Sequence, residues 1–245
     1  MFSLRKFTLH EKIDENIVRE YSAFKLGDVR AVDAYAVVLA RRLRLVLDSS
    51  KKYVMYASNK SPVTPYCKKN ALLVAEKVSK SLGVTLVVAE YTFVYDAETF
   101  YDNNLERKKI NMPVIKKEDE SKIYGHSIIF FEDSIVSGLT LKTTCDILKK
   151  LTNEVVFFSG IDLSASHYIE KDFNNYFFNT HGVPGLVRVI RQDGYTFTTQ
   201  MMRTIEMLSP IQIEELLVKI SDDKKSHLLK AFEIYLGRPY NLSKV

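Results

Sequence analysis

The chain has 245 residues, 46% of them hydrophobic and 27% charged, with a formal net charge of +5. This balance can fill the core of one large domain, or of one domain with a small addition, and the mild positive charge fits an anionic ligand. Two cysteines without metal-type spacing exclude a disulfide framework, and no basic block points to nucleic acid as a partner. Without a signal-peptide core or a predicted membrane span, the expected location is the cytoplasm.

The N-terminal segment, residues 1–50, is predicted to be helical and to pack on the core that follows. Residues 11–48 suggest two helices, and apolar residues recur at helical spacing in the second of them. Asp28 is the predicted N-cap of that second helix because its side chain can accept hydrogen bonds from the first turn.

Residues 51–160 form the predicted core, in which apolar strands alternate with amphipathic helices. Such alternation is typical of a Rossmann-like α/β fold, with a parallel sheet and helices on its faces. In these sheets ligands bind beyond the carboxyl ends of the strands, where the loops 58–64, 95–112 and 132–140 should converge. The predicted strands are 53–57, 84–89, 127–131 and 154–158, and the predicted helices are 65–82 and 139–151.

The C-terminal extension, residues 161–245, is predicted to be mostly helical. Ser209 and Gln212 have capping-box spacing around Pro210, which favours a helix start there. The run His181–Gly185 is rich in helix breakers and is interpreted as a structural turn. This extension could cover an active site, join the core or form a homodimer.

The segment from Ser127 to Thr140 carries the chemistry. Four apolar residues form a strand, the acids Glu132 and Asp133 follow, and a short turn with Gly138 leads into a helix. A helix N-terminus binds phosphate through its backbone amides, and glycine lets the backbone approach the ligand. Ser137 and Thr140 could add hydroxyl donors, while the two acids suit sugar hydroxyls or Mg²⁺. The combination predicts a site for a ribose 5-phosphate. The alternative is a plain strand–turn–helix connection with solvated acids.

This segment resembles the ribose-phosphate motif of type I phosphoribosyltransferases. The wider chain, over about residues 20–160, is similar to the ComF-like branch of that family. The supporting similarities are the segment Tyr21–Gly27, the loop and Asn in Ala57–Asn70, and the stretch Leu105–Asn111. The family fold is the α/β fold predicted above, with helical N-terminal and C-terminal additions.

The resemblance implies a role for each part of the site. Glu132 and Asp133 would hold the ribose hydroxyls, and Mg²⁺ would bridge the pyrophosphate and the ribose beside them. Arg107 or Lys108 would neutralise the leaving pyrophosphate. Two sets of residues would contact the phosphates: Val136, Ser137, Gly138, Leu139 and Thr140 around the 5-phosphate, and Ser58, Asn59 and Lys60, with Lys108, around the pyrophosphate.

Three functions remain open at this stage. The first is a Mg²⁺-dependent phosphoribosyltransferase with an unidentified base or amine as the acceptor. The second is a non-catalytic module that binds phosphoribosyl pyrophosphate or a nucleotide. It is favoured by Val136, which offers only its amide where the family usually has Thr, and by a first loop without the family's Gly-rich or Arg-rich form. The third is a scaffold whose C-terminal helices bind a partner.

Overall fold

A computed structural model of the chain describes residues 2–59, 64–90, 113–136, 138–164 and 170–236. The chain divides into two compact units, each assembled from three separate segments. The predicted blocks 1–50, 51–160 and 161–245 each contribute residues to both units. The first unit comprises Met1–Ile13, Asp33–Pro62 and Ala71–Tyr168, and the second comprises Asp14–Val32, Val63–Asn70 and Ile169–Val245.

The first unit contains a five-stranded sheet in which all neighbouring strands are parallel. With strands numbered along the whole chain, its strands are β1 (Ser3–His10), β2 (Tyr53–Asn59), β4 (Thr85–Glu90), β5 (Ser127–Ile135) and β6 (Glu154–Asp162). The order across the sheet is β1-β6-β5-β2-β4. Such a sheet requires crossover connections, which the intervening helices supply.

Helices flank this sheet, and both sheet faces are buried. Ile128 and Phe130 of β5 share one apolar cluster with Leu141 and Leu148. Residues of the opposite face, such as Phe131, are equally buried. The α/β class with a parallel sheet and flanking helices is therefore confirmed. The helices with residues in this unit are α2 (Val29–Val46), α3 (Asn70–Leu82), α4 (Lys117–Ile123) and α5 (Leu139–Leu148).

The strands of this sheet differ from their predicted bounds at β1 and at the carboxyl ends of β2, β5 and β6, which run past residues 57, 131 and 158. Ser3–His10 is a strand that the sequence analysis did not predict. It was missed because Arg5 and Lys6 interrupt the apolar pattern of this segment. As an edge strand, β1 tolerates such charges. Strand β5 also continues through the acidic pair to Ile135, because its backbone stays paired with β6 as far as Asp162.

The second unit is mostly helical, as predicted for its C-terminal part. Its core holds a short parallel pair, in which Cys67 lies beside Phe197. Gly27 adopts φ +84° and packs against Thr198, so any side chain there would clash. Its elements are α1 (Glu15–Lys25), β3 (Cys67–Lys68), α6 (Glu170–Ile190), β7 (Phe197–Thr198), α7 (Thr199–Glu206), α8 (Pro210–Lys219) and α9 (Asp222–Leu236).

Local signals in this unit behaved as expected. The Ser209–Gln212 capping box forms at the start of α8. Asp28 accepts hydrogen bonds from the first amides of α2. The breaker-rich run appears as a kink at Gly182, which has non-helical angles inside α6. None of the helices in the described parts of the chain is long and apolar enough to cross a membrane.

Candidate functional site

The strand order places a topological switch point between β2 and β5. From β2 the chain passes through α3 to β4 on one side, and from β5 it passes through α5 to β6 on the other. The two strands are paired only from Tyr53–Ser127 to Tyr56–Phe130. Beyond that point each follows its outer neighbour, so the sheet opens into a cleft. Ligands of open α/β sheets bind in such a crevice, at the carboxyl ends of the strands.

Polar residues follow the last pair on both strands in matching positions. Ser58 and Glu132 come two residues after Tyr56 and Phe130, and Asn59 and Asp133 come three residues after them. Successive side chains of a strand alternate between the faces. Ser58 and Glu132 therefore share the face on which Tyr56 and Phe130 make ring contact, with centroids 5.3 Å apart. Asn59 and Asp133 share the opposite face, so each face of the cleft carries one acid.

The turn after β5 has the backbone that the sequence predicted. Gly138 adopts the left-handed conformation, with φ +69°, and is the N-cap of α5. Gly138 has no side chain with which to cap this helix N-terminus, and, its chain neighbours aside, no heavy atom of the described chain lies within 4 Å of the position that a Cβ there would occupy. Thr140 is half-buried in the first helical turn. An uncapped helix start beside open space can receive an anion.

The backbone around Asp133 is held by a close contact that the sequence analysis missed. A Cβ at Gly160 of β6 would lie 2.5 Å from the carbonyl oxygen of Asp133 and 3.1 Å from the Tyr35 ring. Only glycine fits here, so it allows β6 and α2 to approach the acidic strand. A glycine directly after the apolar run 155–158 and Ser159, within a β-prone segment, was the available signal. The Asp133 carboxylate accepts a hydrogen bond from the amide of Ser134 at 2.9 Å.

Charge at this end of the sheet is partly compensated. Glu90, which pairs with Asn59 in register, forms an ion pair with Lys116 at 3.2 Å. The hydrogen bond to Glu90 raises the pKa of the Lys116 ammonium. Glu132 is largely buried, whereas Asp133 is partly exposed. Asp133 is therefore the more accessible of the two acids for a ligand.

The structure thus brings several predicted site residues to one cleft. Ser58, Asn59, Glu132 and Asp133 flank it, and Val136, Gly138, Leu139 and Thr140 form the turn and helix start that follow β5. Their roles toward a ligand stay predictions. The predicted residues Lys60, Arg107, Lys108 and Ser137 lie outside the described residues, as does the side chain of Leu139.

The acid pair also bears on the predicted Mg²⁺. Among the described residues no group of three or more acidic, histidine or cysteine side chains could hold a metal. Mg²⁺ commonly binds one or two carboxylates and completes its shell with water and ligand phosphates. Because the two carboxylates lie on opposite faces, they do not converge on one point, and Asp133, the more exposed of the two, is the single carboxylate donor that fits an ion arriving with a polyphosphate.

Comparison with known proteins found no matching family model and no matching curated protein. Solved structures that resemble the chain include three purine-related enzymes at 16–17% sequence identity. A hypoxanthine-guanine phosphoribosyltransferase from Bacillus anthracis is 17% identical, with 61% of this chain and 69% of that chain covered and a TM-score of 0.33.

The other two neighbours are of the same kind. A purine phosphoribosyltransferase from Pyrococcus horikoshii is 16% identical, covering 54% of this chain and 83% of that chain with a TM-score of 0.35. An adenine phosphoribosyltransferase from Thermoanaerobacter pseudethanolicus is 16% identical, covering 55% and 82% with a TM-score of 0.37. A likeness at these scores does not assign a function to this chain.

Proposed function

We propose that the cleft between β2 and β5 binds a phosphoribosyl ligand, with phosphoribosyl pyrophosphate as the leading candidate. The proposal rests on one observation above all: the ladder between these strands ends at Tyr56–Phe130, where acids and an uncapped helix start follow. The amides after Gly138 would hold the 5-phosphate. Asp133 would accept hydrogen bonds from the ribose hydroxyls. Arg107 or Lys108 would neutralise charge on the pyrophosphate, as the sequence resemblance implies.

The same arrangement supports group transfer. The nitrogen of a base or amine acceptor would form a bond to the anomeric carbon while the bond to pyrophosphate breaks, the pyrophosphate would leave with the electron pair, and the proton of that nitrogen would pass to solvent. Positive charge that develops on the sugar would be stabilised by the Asp133 carboxylate. Mg²⁺, when bound with the ligand, would neutralise the leaving pyrophosphate. The chain's own contribution would be to position the two reactants in the cleft.

Calorimetry with phosphoribosyl pyrophosphate and Mg²⁺ tests this proposal. The wild type should release or absorb heat with a dissociation constant below about 1 mM. Gly138→Val should weaken binding at least about 100-fold, because its side chain would occupy the open space over the helix start. Gly83→Val is the matched control, because Gly83 has φ +66° and open surroundings but lies at the far end of α3.

Two outcomes would reject the assignment. One is the absence of heat from the wild type at millimolar ligand. The other is equal binding by wild type and Gly138→Val, with circular dichroism showing that both are folded. If Gly138→Val and Gly83→Val both lost binding, the backbone strain that they share would be responsible, and not the space over the helix start at Gly138.

A second candidate is a non-catalytic sensor of the same ligand. It is favoured by the burial of Glu132 and by Val136, which leaves only backbone at that position of the turn. Pyrophosphate release in the presence of a panel of purine bases and amines separates the two. Binding without release under every acceptor would assign the sensor, and release with one acceptor would assign the transferase.

A further inference from the structure

A cavity of about 520 Å³ lies at the opposite end of the same sheet, where the strands begin. Its walls come from the start of β1 at Ser3, from Lys51 ahead of β2, from Tyr124–Ser127 ahead of β5, and from Lys149–Glu154 ahead of β6. All of these residues belong to the first unit. The volume lies within the range that small-molecule sites occupy, about 300–1,000 Å³.

The lining of this amino-end cavity is basic. Among the described residues that line it, three lysines, Lys51, Lys149 and Lys150, stand against one carboxylate, that of Glu154. The Glu154 charge is already engaged, because its side chain accepts hydrogen bonds from Lys51 at 2.9 Å and from Ser127 at 2.8 Å. The Arg5 guanidinium lies 3.2 Å from its other oxygen. The carboxylate therefore offers little repulsion to an incoming anion.

The two remaining lysines lie at the rim. Lys149 forms an ion pair with Asp146, one turn away on the exposed surface, and such pairs are weak. Lys150 is exposed next to it. Together they present two ammonium groups to a ligand, which suits a phosphate group.

The remaining lining residues suit a heterocycle with a sugar. Tyr124 lines the cavity and is 72% exposed. An exposed aromatic ring is a stacking surface for a base. The His126 Nδ1 lies 3.2 Å from the Tyr124 carbonyl oxygen, so a neutral ring that donates there presents Nε2 as an acceptor. Asn153 adds a side-chain amide with both donor and acceptor atoms.

We infer that the amino-end cavity is a second ligand site, which binds a nucleoside phosphate. Lys149 and Lys150 contact the phosphate, Tyr124 stacks on the base, and His126 with Asn153 contacts polar atoms of the base or sugar. The cavity is independent of the cleft between β2 and β5, since the strands of a parallel sheet carry the two at opposite ends. A nucleotide bound there makes the protein responsive to nucleotide concentration, whatever the cleft binds.

Calorimetry with AMP tests this inference. AMP is itself a ribose 5-phosphate ester and could enter the cleft, so the titrations use the Gly138→Val background, and Asp133→Asn if that variant does not fold. AMP should still bind, with a dissociation constant of about 1 mM or lower. Adding Lys149→Ala with Lys150→Ala should weaken binding about tenfold or more, and raising the salt concentration should weaken binding to the lysine-containing protein.

The ring has its own test. Tyr124→Ala should weaken AMP binding about tenfold, whereas Tyr124→Phe should retain it because the stacking surface remains. The affinity for inorganic phosphate should be unchanged in both variants. The surface control is Lys80→Ala, which removes an exposed lysine on α3 away from the cavity.

Three results would overturn the inference. The first is no AMP binding in the Gly138→Val and Asp133→Asn backgrounds, which would leave the cleft proposal standing alone. The second is unchanged affinity after loss of both lysines. The third is a Tyr124→Ala variant with the same affinity for AMP as the wild-type protein, which would show that the cavity does not recognise the nucleoside part of the ligand. Loss of phosphoribosyl pyrophosphate binding, by contrast, would affect only the cleft.

Discussion

The two ends of the parallel sheet are built on different principles. At the carboxyl end, β2 and β5 part after Tyr56–Phe130, and the residues that follow are acids, small polar side chains and glycine. At the amino end, four strands begin close to one buried carboxylate, Glu154, which binds two cations and a hydroxyl. The open end can admit a ligand between strands, whereas the other end is held together by charge and has its cavity outside the strands.

The difference shows how a parallel sheet can place residues that are open to a ligand at one end and residues that stabilise the fold at the other. Parallel strands share one direction, so loops that follow strands collect at one end and loops that precede them collect at the other. Substitutions at the open end should therefore change ligand affinity more than folding, and substitution of Glu154 itself, which holds the strand starts together, should do the reverse. Gly160, which supports the open end from inside the sheet, is the expected exception.

The largest effect is expected for Gly160→Ala. The added Cβ would lie 2.5 Å from the backbone oxygen of Asp133, so β5 and β6 must shift apart. We expect a loss of about 2–3 kcal/mol in the free energy of unfolding, as for other overpacked cores. Urea denaturation of the variant beside wild type measures it. Stability equal to that of wild type would mean that the contact is not as close as described.

Glu154→Gln should give the next largest effect. The neutral amide loses the charge-assisted hydrogen bond from Lys51 and the ion pair with Arg5, which costs about 1.5–3 kcal/mol of unfolding free energy. Ligand binding at the open end should be unchanged. Thermal unfolding of this variant beside Glu120→Gln, an exposed glutamate on α4, measures the difference. A variant as stable as the control would contradict the stabilising role of the Glu154 network.

Asp133→Asn should show the opposite pattern. Its side chain is partly exposed, so we expect stability within about 0.5 kcal/mol of wild type. Affinity for phosphoribosyl pyrophosphate should fall about tenfold or more, because a carboxylate that accepts from sugar hydroxyls is replaced by an amide. Calorimetry beside a denaturation curve measures both quantities. Unchanged affinity would remove Asp133 from the site.

The smallest effect concerns pH. Burial alone would raise the pKa of Glu154, but hydrogen bonds from Lys51 and Ser127 and the charge of Arg5 outweigh it and lower the pKa below the ordinary 4.5. A lowered folded-state pKa stabilises the protein above the unfolded value, and this contribution is lost as pH falls through the folded value. Wild-type stability should therefore decline below about pH 4.5 more steeply than that of Glu154→Gln. If stability falls with pH equally steeply in wild type and Glu154→Gln, other carboxylates determine the acid sensitivity of the protein.

Local sequence patterns account for a large part of this protein. Continuous apolar runs predicted β2, β4, β5 and β6, since strands covered on both faces need apolar residues at every position. Capping signals predicted the starts of α2 and α8. Strand β1 was missed because its edge position permits Arg5 and Lys6, and a half-exposed strand with charges has no distinct period.

Long-range pairing decided the rest. Strand β5 continues through Glu132 and Asp133 because its backbone is hydrogen-bonded to β6. The polar residues of this segment do not predict that pairing. The same pairing sets the two acids on opposite faces and leaves the cleft beside β2, because hydrogen bonds between strands distant in sequence fix register and order. The order of apolar residues, two acids, Gly138 and Thr140 can be recognised in the chain itself. Their position at a switch point, and the tolerance of only glycine at position 160, exist only once the sheet has formed.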